Sequence, residues 1–137
     1  MANSTDQIVQ IPETMHKYFG GGGEMVKPTS ATIESLVETV PEGMLITLDS
    51  LREHLAEKHG VRTACPAATM RALVEASKAN SELCSWRVVK KNGELLPKLP
   101  NGLDGQAQLL MKEGLEIDRS KKAPSVARFA DRLHNLH

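Results

Sequence analysis

Between Pro66 and Leu96 the chain passes from a helical to a strand period within 31 residues, and that change limits the folds open to it. Pro66 suits the first turn of a helix, where its missing N–H costs nothing. The spacing predicts that this helix runs to about Lys78, with Met70, Leu73, Val74 and Ser77 facing inward. Trp86-Arg87-Val88-Val89-Lys90 is then β-branched and carries an aromatic ring, so it reads as a short strand. Lys91-Asn92-Gly93 is a turn, because Asn-Gly accepts the positive φ that tight hairpins need. Glu94-Leu95-Leu96 is the expected return arm of a β-hairpin.

A second helix is expected just before this one. Thr47 is its cap, Asp49 lies in its first turn, and Leu48, Leu51, Leu55 and Ala56 form its buried stripe. His59-Gly60 marks its end. Two helices joined by a short loop, the second rich in small residues and carrying Arg71, read as a helix-turn-helix. Many helical hairpins share that pattern. The chain has only four aromatic residues, Tyr18, Phe19, Trp86 and Phe129, so its core must be built from aliphatic side chains. That favours packed helices, and 137 residues suffice for one domain. The expected class is mainly α: a winged-helix-like domain with a short β-hairpin and an added C-terminal helix.

Three segments divide the chain. Residues 1–30 read as an irregular lead-in, because Gly20 to Gly23 suits no helix or strand interior. No Lys-Ser/Thr follows those glycines, so they are not a P-loop. Residues 31–117 form the domain proper. It opens on a helix started by Pro28-Thr29-Ser30 with Ile33, Leu36, Val37 and Val40 inside, and closes on a helix over Gly105–Lys112. Residues 118–137 are expected to be a C-terminal amphipathic helix, with Val126, Phe129, Leu133 and Leu136 on one face from Pro124 onward.

No apolar run is long enough to cross a membrane. Two cysteines make no disulfide framework, and a reducing cytoplasm is the expected setting. His54, His59 and Cys65 fit no zinc spacing, so no metal is expected. Net charge is zero but uneven. Residues 1–57 carry 3 basic against 9 acidic side chains, and residues 58–137 carry 14 against 8. A basic half is a candidate phosphate-binding face, or else a solvated surface answered by the acidic half.

The run Arg71-Ala72-Leu73-Val74, then Asn80, then Cys84-Ser85-Trp86-Arg87-Val88-Val89 resembles the core of the O6-methylguanine-DNA methyltransferases. That family has an Arg-Ala-Val-Gly helix, an Asn hinge and Pro-Cys-His-Arg-Val-Val. Pro41-Glu42-Gly43, Thr47 to Leu51, Asn101-Gly102-Leu103, Leu109-Leu110 and Glu113-Gly114 extend the match in order. The resemblance places Ser85 where the family has its alkyl-accepting cysteine and Trp86 where it has the activating histidine. Ala107 stands at the relay glutamate and Leu48 at a tyrosine that helps rotate the target nucleotide. An unactivated hydroxyl is a poor nucleophile, and an indole takes no proton. The pattern is similar to that of the alkyltransferase-like proteins, non-catalytic relatives of the methyltransferases.

The resemblance implies a monomer, cytoplasmic (or nucleoid-associated in a bacterium), that needs no cofactor. It implies binding of double-stranded, alkylated DNA through the minor groove, and nucleotide excision repair proteins as partners. It assigns DNA contact to Arg71, Thr47, Ala72, Lys78, Asn80, Lys90 and Lys91. It assigns a lesion pocket to Ser85, Trp86, Arg87 and Cys84, with Arg87 making structural hydrogen bonds under it. Each has a plainer reading: Arg71 paired with Glu75, Trp86 as core, the lysines as solvated charges. A regulator reading intact sites, an interaction domain, or an enzyme using Cys84 are the alternatives.

Overall fold

The computed structural model describes residues 5–136. Five α-helices form its frame among those residues: α1 His16–Phe19, α2 Ser30–Val37, α3 Leu48–His59, α4 Pro66–Ala79 and α5 Gly102–Lys112. The caps act locally, as their chemistry predicts. Thr29 accepts from the Thr32 N–H at the start of α2, and Thr47 accepts from the Ser50 N–H at the start of α3. Gly60 ends α3 with φ +64°, a backbone that side chains with a Cβ resist. Pro66 opens α4.

Helices α2, α3 and α4 enclose the main core. Ile33, Val37, Leu51, Leu55, Leu73 and Ala76 are buried in it, with Leu48 packed on its margin. The loop between α3 and α4 holds a short strand, β4 Thr63–Ala64. It joins β1 Gln7–Gln10 and β2 Glu24–Lys27 in the order β1-β2-β4, the first pair antiparallel and the second parallel. Residues 1–4 lie outside the described residues, and residues 5–30 are therefore not the irregular lead-in expected. Their donors pair with residues far along the chain, which no local pattern reveals.

The four glycines make the turn from α1 into β2. Gly20 closes α1 at φ +76°, and Arg62 lies over the loop, donating to the Phe19 carbonyl. Asp6 anchors the strand to the helices. Its carboxylate accepts from the Thr29 N–H and the Thr32 hydroxyl, and it pairs with His59 Nε2 at 2.9 Å. Burial alone would raise its carboxyl, but the bonds from Thr29, Thr32 and His59 outweigh it and hold Asp6 below the ordinary range.

The expected hairpin is replaced by a different pairing. Residues Ser85–Arg87 form a turn of 3₁₀ helix, and β5 Val88–Val89 runs parallel to β3 Ile46–Thr47. The Asn-Gly turn itself forms, with Gly93 N donating to Lys90 O and Lys90 N to Glu94 O. The return arm then leaves. Leu95 N donates to Pro124 O and Leu96 N to the Gln106 side chain, so no ladder develops.

Residues 118–136 form no α-helix either. Strands β6 Ile117–Asp118 and β7 Ser125–Val126 pair antiparallel, and β7 also bridges Glu94. Arg128 takes φ 55°, Phe129–Arg132 make one 3₁₀ turn, and Leu133 bridges Leu45. Backbone groups at Gly93, Glu94 and Leu45 supply partners that a helix would forgo. Val126 and Phe129 still bury their apolar surface, in a second core with Leu45, Val89, Leu95, Ala107 and Leu110. Gly93 sits under Phe129, and a Cβ there would lie 2.6 Å from its ring.

Among the described residues, no helix is long and apolar enough to cross a membrane.

Candidate nucleic-acid interface

Helix α4 has one face in the core and one in solvent. Ala72 and Leu73 are buried, whereas Ala67, Arg71, Glu75 and Lys78 are exposed. Arg71 and Lys78 are seven residues apart, two turns, so they stand about 10 Å apart along one face. No ion pair joins Arg71 to Glu75 among the described residues. Arg71 instead lines a shallow surface depression with Gln7 and Lys27, beside the start of α2. The strand sheet thus reaches the flank of this helix.

A cleft of about 400 Å³ opens at the C-terminal end of α4. That lies within the range of about 300–1,000 Å³ usual for small-molecule sites. Lys78 and Ser81 come from the end of α4 and just beyond it. Ser85 and Trp86 come from the 3₁₀ turn, and Asn101, Gln106 and Leu109 from α5 and its approach. Ser85 is only 8% exposed, and its hydroxyl makes no hydrogen bond among the described residues. The walls otherwise include Leu83, Leu99 and Pro100.

Beneath the cleft Arg87 forms an ion pair, and its acidic partner, Glu113, is the member that the sequence did not single out. Glu113, at the end of α5, is 8% exposed on its side chain, and Arg87 12%. Arg87 Nε and Nη2 donate to both Glu113 oxygens at 2.8–3.0 Å, the two-pronged geometry a guanidinium favours. Trp86 Nε1 donates to Glu113 Oε2 at 2.7 Å, and the Gly43 N–H to Oε1 at 2.9 Å. Arg87 Nη1 donates to the Val40 carbonyl at 2.7 Å, and the guanidinium lies 5.8 Å from the Trp86 ring centre. Burial works to raise the Glu113 carboxyl, but the bonds from Arg87, Gly43 and Trp86 overcome it and hold it low. Burial works likewise against the Arg87 charge, and Glu113 overcomes it and pushes its pKa up. Gln106 completes the support: it accepts from Leu96 N and donates to the carbonyls of Trp86 and Val88.

The residues singled out from the sequence divide by place. Ser85, Trp86 and Lys78 line the cleft together. Arg87 lies under it, bound to Glu113, and does not form its wall. Cys84 is also off the wall. Burial pushes its thiol up; Arg87 opposes this, while Glu113 and Glu42 add to it. Ala72, 3% exposed, packs in the main core and reaches the surface only at the edge of the depression that Arg71 lines. Thr47, 6% exposed, spends its hydroxyl capping α3 and bonding Ser50. Asn80 ends α4, donating to Glu34 and accepting from Glu82 N. Lys90 and Lys91 are exposed on the Asn-Gly turn, with Lys90 3.7 Å from Glu94. Ala107 is wholly buried in the second core. His59, considered for a metal, is the partner of Asp6. Among the described residues no cluster of three or more acidic, histidine or cysteine side chains could hold an ion.

Glu113 could have been suspected only from its place in Glu113-Gly114, which reads as an ordinary exposed helix end. Its partners Arg87 and Gly43 lie 26 and 70 residues away in sequence.

No family model matches the chain, and no curated protein matches it in sequence. In three dimensions it is similar to the crystal structure of S. pombe Atl1 in complex with damaged DNA containing O6-carboxymethylguanine. The TM-score is 0.57 at 17% sequence identity, and the match covers 77% of this chain and 94% of that one. At that identity the likeness is one of fold.

Proposed function

We propose that this chain binds double-stranded DNA and recognises guanine alkylated at O6, without transferring the alkyl group. The observation that carries this reading is the cleft beside the exposed face of α4, on a fold shared with a protein solved on damaged DNA. Arg71 is a planar cation on that face with no ion-pair partner among the described residues. A guanidinium can stack on bases and donate to the base left without its pair. In this reading α4 enters the minor groove, Arg71 fills the vacated stack, and the extruded guanine enters the cleft between Trp86 and Ser85. Stacking on Trp86 would contribute about 1–3 kcal/mol. Lys90 and Lys91 contact phosphates and set no sequence preference.

The groups at the cleft support a reading without transfer. Alkyl transfer needs a thiolate made by a neighbouring base. Ser85 has no basic partner, no histidine lines the cleft among the described residues, and Cys84 stands off the wall with its thiol pushed up. The protein then marks the lesion: it shields it from direct transfer and presents it to nucleotide excision repair.

Competition binding of matched duplexes, one with guanine and one with O6-methylguanine, tests this reading. The alkylated duplex should bind tenfold or more tightly, and affinity for both should fall steeply with salt. Equal affinity would replace lesion recognition by binding of intact sites, as in a helix-turn-helix regulator. No binding would leave an interaction domain. Radiolabelled O6-methylguanine DNA should leave no label on the protein; stoichiometric label on Cys84 would make it an enzyme.

A further inference from the structure

The polar groups around the cleft fall into two sets. Gln106 is fully used by three backbone partners, and Ser77 donates to the Leu73 carbonyl. Lys78, Ser81, Ser85 and Asn101 make no side-chain hydrogen bond or ion pair among the described residues. Lys78 is also the only charged side chain on the walls among the described residues. No carboxylate stands there to neutralise it.

We propose that Lys78 reads the far end of the adduct and selects O6-alkyl groups that terminate in an anion. This rests on the lesion-binding reading above. An anionic adduct on DNA is repelled by the phosphates around it, and moving it into a cleft with apolar walls costs hydration. A site that accepts it must therefore supply a cation and donors. The exposed ammonium of Lys78 meets the charge, and the free hydroxyl of the buried Ser85 offers a hydrogen bond from the same walls. Charge-assisted bonds of this kind are roughly twice as strong as neutral ones. For an adduct held partly out of water, the gain should be about tenfold in affinity. A neutral adduct of the same length would leave Lys78 facing only water and phosphate. Lys78 is thereby assigned to specificity, where a surface lysine on a DNA-facing helix would ordinarily be given to the backbone.

The test uses four duplexes of one sequence, with guanine, O6-methylguanine, O6-(2-hydroxyethyl)guanine or O6-carboxymethylguanine at a single site. Wild type, Lys78→Gln and Lys78→Arg are titrated against each in competition. Wild type should bind the carboxymethyl duplex about tenfold more tightly than the hydroxyethyl one. Lys78→Gln should bring that ratio near one and keep the preference for methylated over plain DNA. Lys78→Arg should keep the ratio. Equal loss on all four duplexes with Lys78→Gln would make Lys78 a phosphate contact and overturn the proposal. So would equal affinity of wild type for the hydroxyethyl and carboxymethyl duplexes. If wild type preferred no alkylated duplex over guanine, the lesion-binding reading itself would fall, and this proposal with it.

Discussion

The ground under the cleft and the face of α4 treat charge in opposite ways. Beneath the cleft, Glu113 and Arg87 are buried and answered by each other, by Trp86, and by backbone at Gly43 and Val40. On the α4 face, Arg71 and Lys78 are exposed and paired with nothing among the described residues. Buried charges that are fully paired hold a scaffold in one geometry, and removing one partner is costly. Exposed, unpaired cations add little to stability and are free to meet a partner. The same residue type thus serves two ends, and position decides which. Arg87 lies near the middle of the resemblance motif but belongs to the frame; Arg71 belongs to the interface.

The sharpest way to break this division is to remove Glu113. Glu113→Ala strands the Arg87 guanidinium under the cleft, and the expected loss is about 3–5 kcal/mol in urea unfolding. A loss under about 1 kcal/mol would mean that Arg87 finds water, and the scaffold role would fail. Trp86→Leu comes next. It removes the indole bond to Glu113, worth about 1–3 kcal/mol of stability because a charged acceptor loses a donor. It should also weaken alkylated duplex by about 1–3 kcal/mol while sparing plain duplex. Unchanged discrimination would return Trp86 to a purely structural part.

Acid should expose the same division. Glu113 and Asp6 both hold their carboxyls below the ordinary values of 4.5 and 3.8. The unfolded chain therefore takes up their protons first. Their contribution is fully present above those ordinary values and is lost as pH falls through the lowered, folded ones. Thermal unfolding from pH 7 to pH 3 should show a plateau and then a decline, and Glu113→Gln should flatten part of that decline. A decline that begins well above pH 5 would point to another group. The smallest expected effect is on the other side of the comparison. Arg71→Ala should change stability by no more than about 0.5 kcal/mol, as exposed helix positions do.

The helical frame was legible because its signals are local. Thr29, Thr47, Pro66 and Gly60 mark helix ends by chemistry that acts within four residues. The same holds for the turn at Asn92-Gly93. What followed that turn was not legible, because Leu95 and Leu96 had equally good partners at Pro124 and Gln106. The last segment misled in a different manner. Val126, Phe129 and Leu133 stand at helical intervals, yet two of them reach the core from a strand and a single 3₁₀ turn. Period alone does not register the backbone edges at Gly93 and Leu45 that drew this segment out.

At the candidate site, Ser85 and Trp86 stood out through the motif that contains them, and Lys78 through the basic charge of its half of the chain. Glu113 and Gln106 were not, since their meaning lies in bonds to residues well removed in sequence. Ala72 and Thr47 stood in the motif but face inward, where a helix face and a cap use them.

The most direct test of the account joins its two regions in one observable. A duplex carrying a fluorescent base analogue next to O6-methylguanine brightens when the stack beside it opens. Flipping costs a few kcal/mol, so Arg71 filling the stack and the cleft receiving the base must act together. Wild type should brighten the probe on the alkylated duplex, and Arg71→Ala, folded and still bound through its phosphate contacts, should leave it dim. Equal brightening by both proteins, or by neither, would contradict the account: the α4 face and the cleft would not form one lesion-binding site.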